Sequence, residues 1–197
     1  MFQPNFWLLT LMVCIPAAMR LIQHDWNFAP VAAVALFAGA HFRSKSLAFL
    51  VPILAMFLSD LALGVMRDDM ASYAFHPLLP ITYGCYALSV CMGFGVRSAW
   101  NRSDRKSGLD GTRKKLAKAF PVLATALAGS IMFFVVTNFA YWVAFENSSL
   151  VSTYIRAIPF FRGTLAGDLV YSFALFGGYA LLTHKQTESE QVGAMAE

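Results

Sequence analysis

Apolar residues in this chain do not alternate with polar ones; they come in long runs separated by short polar breaks. A membrane-crossing helix needs about 20 predominantly apolar residues. Six runs reach or approach that length: 6–21, 28–42, 47–65, 77–96, 120–145 and 165–182. The second is short and rich in alanine, so its ends borrow from the flanks, with Asn27 as a cap and Pro30 in the first turn. The pattern predicts an all-α fold: one integral membrane bundle of six transmembrane helices over residues 1–184, with a disordered polar tail over 185–197. The first run is read as a retained span rather than a cleaved signal peptide. No positive charge lies in residues 1–5, and the run continues to Met19 without a cleavage site.

Composition agrees with a lipid environment. The chain is 58% hydrophobic and 13% charged, against roughly 25% charged residues in soluble domains. The net charge of +4 is not a nucleic-acid signal, because eight of the fifteen basic residues fall between Arg97 and Lys118, in one polar segment between two apolar runs. That is the signature of a cytoplasmic loop beside anionic lipid. With both termini in the cytoplasm, eleven basic residues lie inside and four outside, so the expected location is a bacterial cytoplasmic (inner) membrane with N-in, C-in topology. Trp26 and Trp142 then fall near the outer interface. Cys14, Cys85 and Cys91 all sit inside apolar runs, with neither a disulfide framework nor zinc-ligand spacing.

Polar residues inside spans are costly and face the bundle interior or a wet cavity. Under the topology above they gather toward the outer side. Asp60 lies in the outer part of the third span. Thr82, Cys85, Tyr86 and Ser89 share one face of the fourth. Asn138, Tyr141 and Trp142 share a face of the fifth. Thr164, Asp168, Tyr171 and Ser172 share one at the start of the sixth, just after Arg162. These positions point to one outward-facing pocket. Each also has a plainer reading. Asp60 and Asp168 also read as helix-end residues or ion-pair partners of Arg67, Arg156 or Arg162, Asn138 as interhelical glue, Tyr141 and Trp142 as interface aromatics, and Cys85 as a small buried hydrophobe.

The outer connections read as lids. Residues 148–158 repeat apolar positions on one face, as an amphipathic helix lying on the membrane surface would, with Pro159 ending it. The 66–76 connection carries Arg67, Asp68 and Asp69. Pairs such as Ala29/Ala33, Ala35/Gly39 and Ala174/Gly178 have the small-xxx-small spacing that lets membrane helices approach closely. The chain carries no H-E-x-x-H, G-x-S-x-G or P-loop, so an enzyme is not expected.

Several of these residues lie in linear motifs. Asn27-Phe28-Ala29-Pro30-Val31, Ala35 through Ala40, Leu58-Ser59-Asp60-Leu61, Val136-Thr137-Asn138-Phe139 and Ile158 through Asp168 together resemble an uncharacterised bacterial six-helix membrane family. That family is similar to the substrate-binding S components of energy-coupling-factor (ECF) vitamin transporters, and the likeness extends from about Asn27 to Gly178. It implies a vitamin-like solute bound near the outer face, no intrinsic cofactor, and a membrane coupling subunit with ATPases as partner. Similarity to the cobalamin-uptake type further implies cobalamin as the transported ligand, with Cys85 ligating the corrinoid cobalt and His24, Asp60, Tyr86 and Arg162 lining the site. The rival from the residues alone is a structural or assembly membrane protein without a small-molecule ligand.

Overall fold

Long runs of leucine, alanine, phenylalanine and methionine with few β-branched clusters favour helix, and lipid leaves the backbone little alternative. The computed structural model describes residues 2–3, 5–22, 28–105, 111–145 and 148–195, with backbone alone at 112, 114 and 184–195. It contains α1 (Phe6–Leu21), α2 (Val31–His41), α3 (Lys45–Met66), α4 (Met70–Tyr73), α5 (Leu79–Asp104), α6 (Gly111–Phe145) and α7 (Leu150–Met195). Four of them are long and apolar enough to cross a membrane: α3, α5, the Lys115–Phe145 part of α6 and the Leu150–Thr183 part of α7. The other two apolar helices, α1 and α2, are shorter. Large apolar side chains stand on the outside, among them Trp7 at 73% exposure and Phe173 at 83%. Such a surface suits lipid and not water. The chain is an α-helical membrane protein.

Three elements differ from the sequence expectation. Residues 150–158 are not a separate surface helix, because α7 runs unbroken through Pro159. A proline removes one main-chain hydrogen bond, and a long membrane helix tolerates that loss where a water-exposed one would end. The same helix continues past 184 to Met195, through the boundary drawn for the polar tail. The basic connection is also mostly helical, since α5 reaches Asp104 and α6 begins at Gly111. There Trp100 Nε1 donates to the Lys118 carbonyl at 2.8 Å, and Lys118 pairs with Asp104 at 3.1 Å. The 66–76 connection holds α4, capped by Asp69, whose carboxylate accepts from the Ser72 N–H at 3.0 Å. The Ser72 hydroxyl and N–H hold that carboxyl below its ordinary pKa.

The centre of the bundle is α2. It has only 11 residues, roughly 16 Å at ~1.5 Å per residue, yet every one except Ala32 is buried. A helix apolar on all sides belongs in a core, and α1, α3, α5, α6 and α7 all touch this one. Its crossing with α5 is set by two glycines. A Cβ on Gly93 would lie 2.4 Å from the Leu36 carbonyl oxygen and 2.8 Å from Gly39 Cα, and one on Gly39 would lie 2.2 Å from the Val90 carbonyl oxygen. The Ala35/Gly39 pair is therefore an internal packing face. Ala174/Gly178 is not, since a Cβ at Gly178 would meet nothing within 4 Å.

The C-terminal end of α2 is closed by side chains from neighbouring helices. Arg97 of α5 donates to the carbonyls of Gly39 at 2.6 Å, of Ala40 at 3.0 Å, and of Phe42. These are carbonyls a helix end leaves without partners, and a cation there also matches the helix dipole. Arg97 is thus a helix cap rather than a free charge of the basic loop. His41 lies in an aromatic box, its ring 4.2 Å from Phe37, 4.5 Å from Tyr179 and 5.2 Å from both Trp100 and Phe176. Phe2 joins this end too, through main-chain bonds to His41 and Arg43.

The crossing yields a paired prediction. Gly93→Ala forces backbone apart and should destabilise the protein by about 1–3 kcal/mol, the usual range for overpacking. Gly95→Ala, two residues along the same helix with nothing within 4 Å, should be neutral or stabilising by about 0.5–1 kcal/mol. Thermal unfolding in detergent compares the two; equal melting temperatures would dissolve the argument for a backbone contact.

Candidate functional site

Polar side chains converge at the end of the bundle opposite Arg97, where α1 and α3 finish and α5 begins. Arg20, in the last turn of α1, donates to Asp60 Oδ1 at 2.7 Å, to the Ser59 hydroxyl and to the Met56 carbonyl at 3.3 Å. Tyr83 of α5 donates to the other carboxylate oxygen, Asp60 Oδ2, at 3.0 Å. Asp60 has therefore both oxygens engaged and retains 3% exposure. Its partner is Arg20, rather than the Arg67, Arg156 or Arg162 that spacing suggested. In an apolar surrounding such a pair holds only because each charge meets the other and the remaining lone pairs find donors.

Beside this ion pair lies a cavity of about 300 Å³. Its lining mixes polar side chains, Arg20, Thr82, Thr164 and Asp168, with apolar ones, Met56, Leu63 and Phe133, and with the ring of Tyr86. Ala29 and Ala32 complete it at the start of α2. Non-helical backbone at membrane depth is tolerated where it is buried in protein or lines a cavity, and residues 28–30, just before α2, meet that condition. Their approach to α7 needs Gly167, where a Cβ would lie 3.2 Å from the Ala29 nitrogen. Tyr86 packs its ring 5.7 Å from that of Phe133.

Asp168 is buried on a different footing from Asp60. It retains 4% exposure, and its partner is the Ser130 hydroxyl on α6, 2.6 Å from Oδ2. No basic side chain pairs with it among the described residues. The Ser130 hydroxyl is also 3.1 Å from the Ala126 carbonyl. One hydroxyl proton cannot serve both acceptors.

The other sequence candidates scatter. Thr82 and Tyr86 line the cavity, but Cys85 between them is 2% exposed and is not on its wall. Asn138 Nδ2 donates to its own helix at Phe134, 2.7 Å away. Tyr141 is 46% exposed, and Trp142 Nε1 donates to the Ser148 carbonyl at 3.0 Å, tying the end of α6 to the start of α7. Arg162 is exposed and away from the cavity wall. Tyr171 packs its ring 5.2 Å from Phe28. His24 and Asn27, with Trp26, lie outside the described residues. Sequence reasoning missed Arg20, Ser59, Tyr83 and Ser130. Arg20 had a signal: it is a basic residue one turn from the end of an apolar run, at the depth of an acid two spans away.

The ion pair can be tested by a double-mutant cycle. Asp60→Asn and Arg20→Met each leave a buried partner uncompensated and should each cost about 3–5 kcal/mol. The double variant should cost clearly less than their sum. Denaturation of purified protein in detergent measures all four corners, and strict additivity would separate Arg20 from Asp60.

No curated protein and no solved structure matches the chain. A family model described as a family of unknown function, DUF6580, matches residues 1–191. With nearly its whole length matched, and with a helical membrane bundle around a polar-walled cavity, the chain belongs to the DUF6580 family.

Proposed function

We propose that this protein is the solute-binding membrane component of an uptake system, holding a small vitamin-like molecule in the cavity beside Arg20 and Asp168. The observation that carries this reading is the cavity itself. At about 300 Å³ it reaches the lower end of the roughly 300–1,000 Å³ typical of ligand sites. Its lining offers both polar and apolar groups, as an amphipathic solute requires. A bundle whose polar residues served only to join helices would close around them. The Arg20 side chain keeps 19% exposure against 4% for Asp60, so a guanidinium already anchored by a carboxylate is left able to meet an incoming acceptor.

A corrinoid is several times larger than this cavity, and the Cys85 thiol is not on its wall. A smaller solute without a metal fits the walls better than cobalamin. In the proposed arrangement all six apolar helices, α1, α2, α3, α5, α6 and α7, build the membrane domain, as in ECF S components, with the cavity toward the outside and the basic connection in the cytoplasm. The resemblance supplies a partner as well, a membrane coupling subunit driven by ATPases. Gly177 and Gly178 on α7, where an added Cβ meets nothing within 4 Å, leave a small-residue face to receive it.

Two measurements test the reading. Mass spectrometry of gently purified protein should find a retained small solute in the wild type. It should be lost in Thr82→Trp and Thr164→Trp, which fill the cavity, while both variants stay monodisperse. A solute retained equally by the filled variants, or none retained by the wild type, would favour a structural role. For orientation, Gly108→Cys in a chain lacking Cys14, Cys85 and Cys91 should resist an impermeant thiol reagent added to intact cells and react once the membrane is opened.

A further inference from the structure

Asp168 and Ala32 line not one cavity but two. The second has a volume of about 10 Å³, close to the roughly 10–15 Å³ that one water-sized particle occupies. Around it stand Asp168 and Ser172 of α7, Ser89 of α5 and Thr125 of α6, with Leu36, Met92, three alanines and Gly129 completing the wall. No basic side chain is on its wall.

The hydrogen-bonding state of these oxygens is unusual for a dry core. Ser89 Oγ donates to the Cys85 carbonyl at 3.1 Å, and Thr125 Oγ1 donates to the Pro121 carbonyl. With their protons committed one turn back, both hydroxyls have only lone pairs left to offer. Ser172 is 3% exposed, and its Oγ has no hydrogen-bond partner at all, a condition buried polar atoms rarely tolerate. Asp168 adds a carboxylate without a counter-charge. Acceptors outnumber donors around a space for one small particle, and beside an unpaired carboxylate a cation balances both the lone pairs and the charge.

We propose that this second cavity binds a single sodium ion, with the Asp168 carboxylate as its charged ligand and the hydroxyls of Ser172, Ser89 and Thr125 as neutral ones. The donor set is all hard oxygen, which suits alkali and alkaline-earth ions and not transition metals. One carboxylate balances one charge. Calcium wants six to eight oxygen ligands and magnesium keeps several waters, and a one-particle cavity provides for neither. The site stands without the solute reading. Its consequence for transport, that ion and solute share the Asp168 wall and bind as linked events, rests on that reading.

The test uses the full-length purified protein with no solute added, so a failure here is separate from a failure to find a solute. Thermal unfolding is followed as sodium chloride replaces choline chloride at constant ionic strength. The melting temperature should rise with sodium and saturate, and choline should give no rise. Ser172→Ala breaks no hydrogen bond of the fold, so it should fold normally while weakening the sodium response about tenfold or more, at least what loss of an outer-shell partner of a metal site costs. Asp168→Asn should abolish the response, and Gly95→Ala, which touches neither cavity, should keep it. Should Asp168→Asn fail to fold, Ser172→Ala alone decides. Equal melting temperatures in sodium and choline would overturn the proposal. So would a sodium response unchanged in Ser172→Ala, or a stability that tracks pH identically in both salts, which would make Asp168 a proton site instead.

Discussion

The backbones of α2 and α5 touch at Gly39 and Gly93, where one methyl group on either side would collide with a main-chain atom. Lipid offers no hydrophobic drive to bring helices together, so close packing and satisfied polar groups must do it. The contact supplies the first and makes the second possible. With α5 this near, Arg97 reaches the α2 carbonyls that a buried helix end would otherwise leave orphaned. Trp100, one turn on, reaches the His41 box. A helix of 11 residues can then sit at the centre of the bundle with its C-terminal end held by protein rather than by water.

The short central helix also explains where the polar groups go. Because α2 covers only part of the bundle's depth, the space beyond its N-terminal end must be filled by something else. Arg20, Asp60 and Tyr83 do so and satisfy one another, while a set around Asp168, alongside the first half of α2, does not close on itself. The two aspartates thus divide the labour. Asp60 is saturated, with an arginine on one oxygen and a tyrosine on the other, and holds α1, α3 and α5 together. Asp168 is undersupplied with donors and faces open volume on two sides, which is the condition of a group that waits for a partner.

Much of this was legible in the sequence, and the part that was not has definite causes. Apolar runs located every long helix, because a membrane span is a one-dimensional signal of length and composition. The asymmetric depth of Asp60, Thr82, Tyr86 and Asp168 pointed to one end of the bundle, and three of the four line the cavity. Pairings were less accessible. Arg20 was counted with the loop charges because it sits in the last turn of its run, and only the packing of α1 beside α3 shows that it belongs to Asp60. Helical periodicity put Cys85 with Thr82 and Tyr86, yet 100° of helix rotation separates wall from core, and spacing alone cannot fix which side of such a stripe faces empty space. Pro159 misled for a different reason, since rules for helix ends come from helices in water, where a broken hydrogen bond is soon replaced by solvent.

A membrane with a polar-walled cavity on one side of an 11-residue helix does not present a uniform insulator. Where water enters the cavity, the electrical distance across the bundle shrinks toward the length of α2, about 16 Å by ~1.5 Å per residue, instead of the ~30 Å hydrocarbon thickness. The membrane voltage then falls mainly over that helix and its Arg97-capped end. A full crossing is worth about 2.3 kcal/mol per elementary charge per 100 mV. A cation held at Asp168, beside Ala32, Ala33 and Leu36 in the first half of α2, would have crossed only part of that drop, and the rest of the work would be done along the remainder of α2, so the shortest of the six apolar helices marks the position of the electrical barrier.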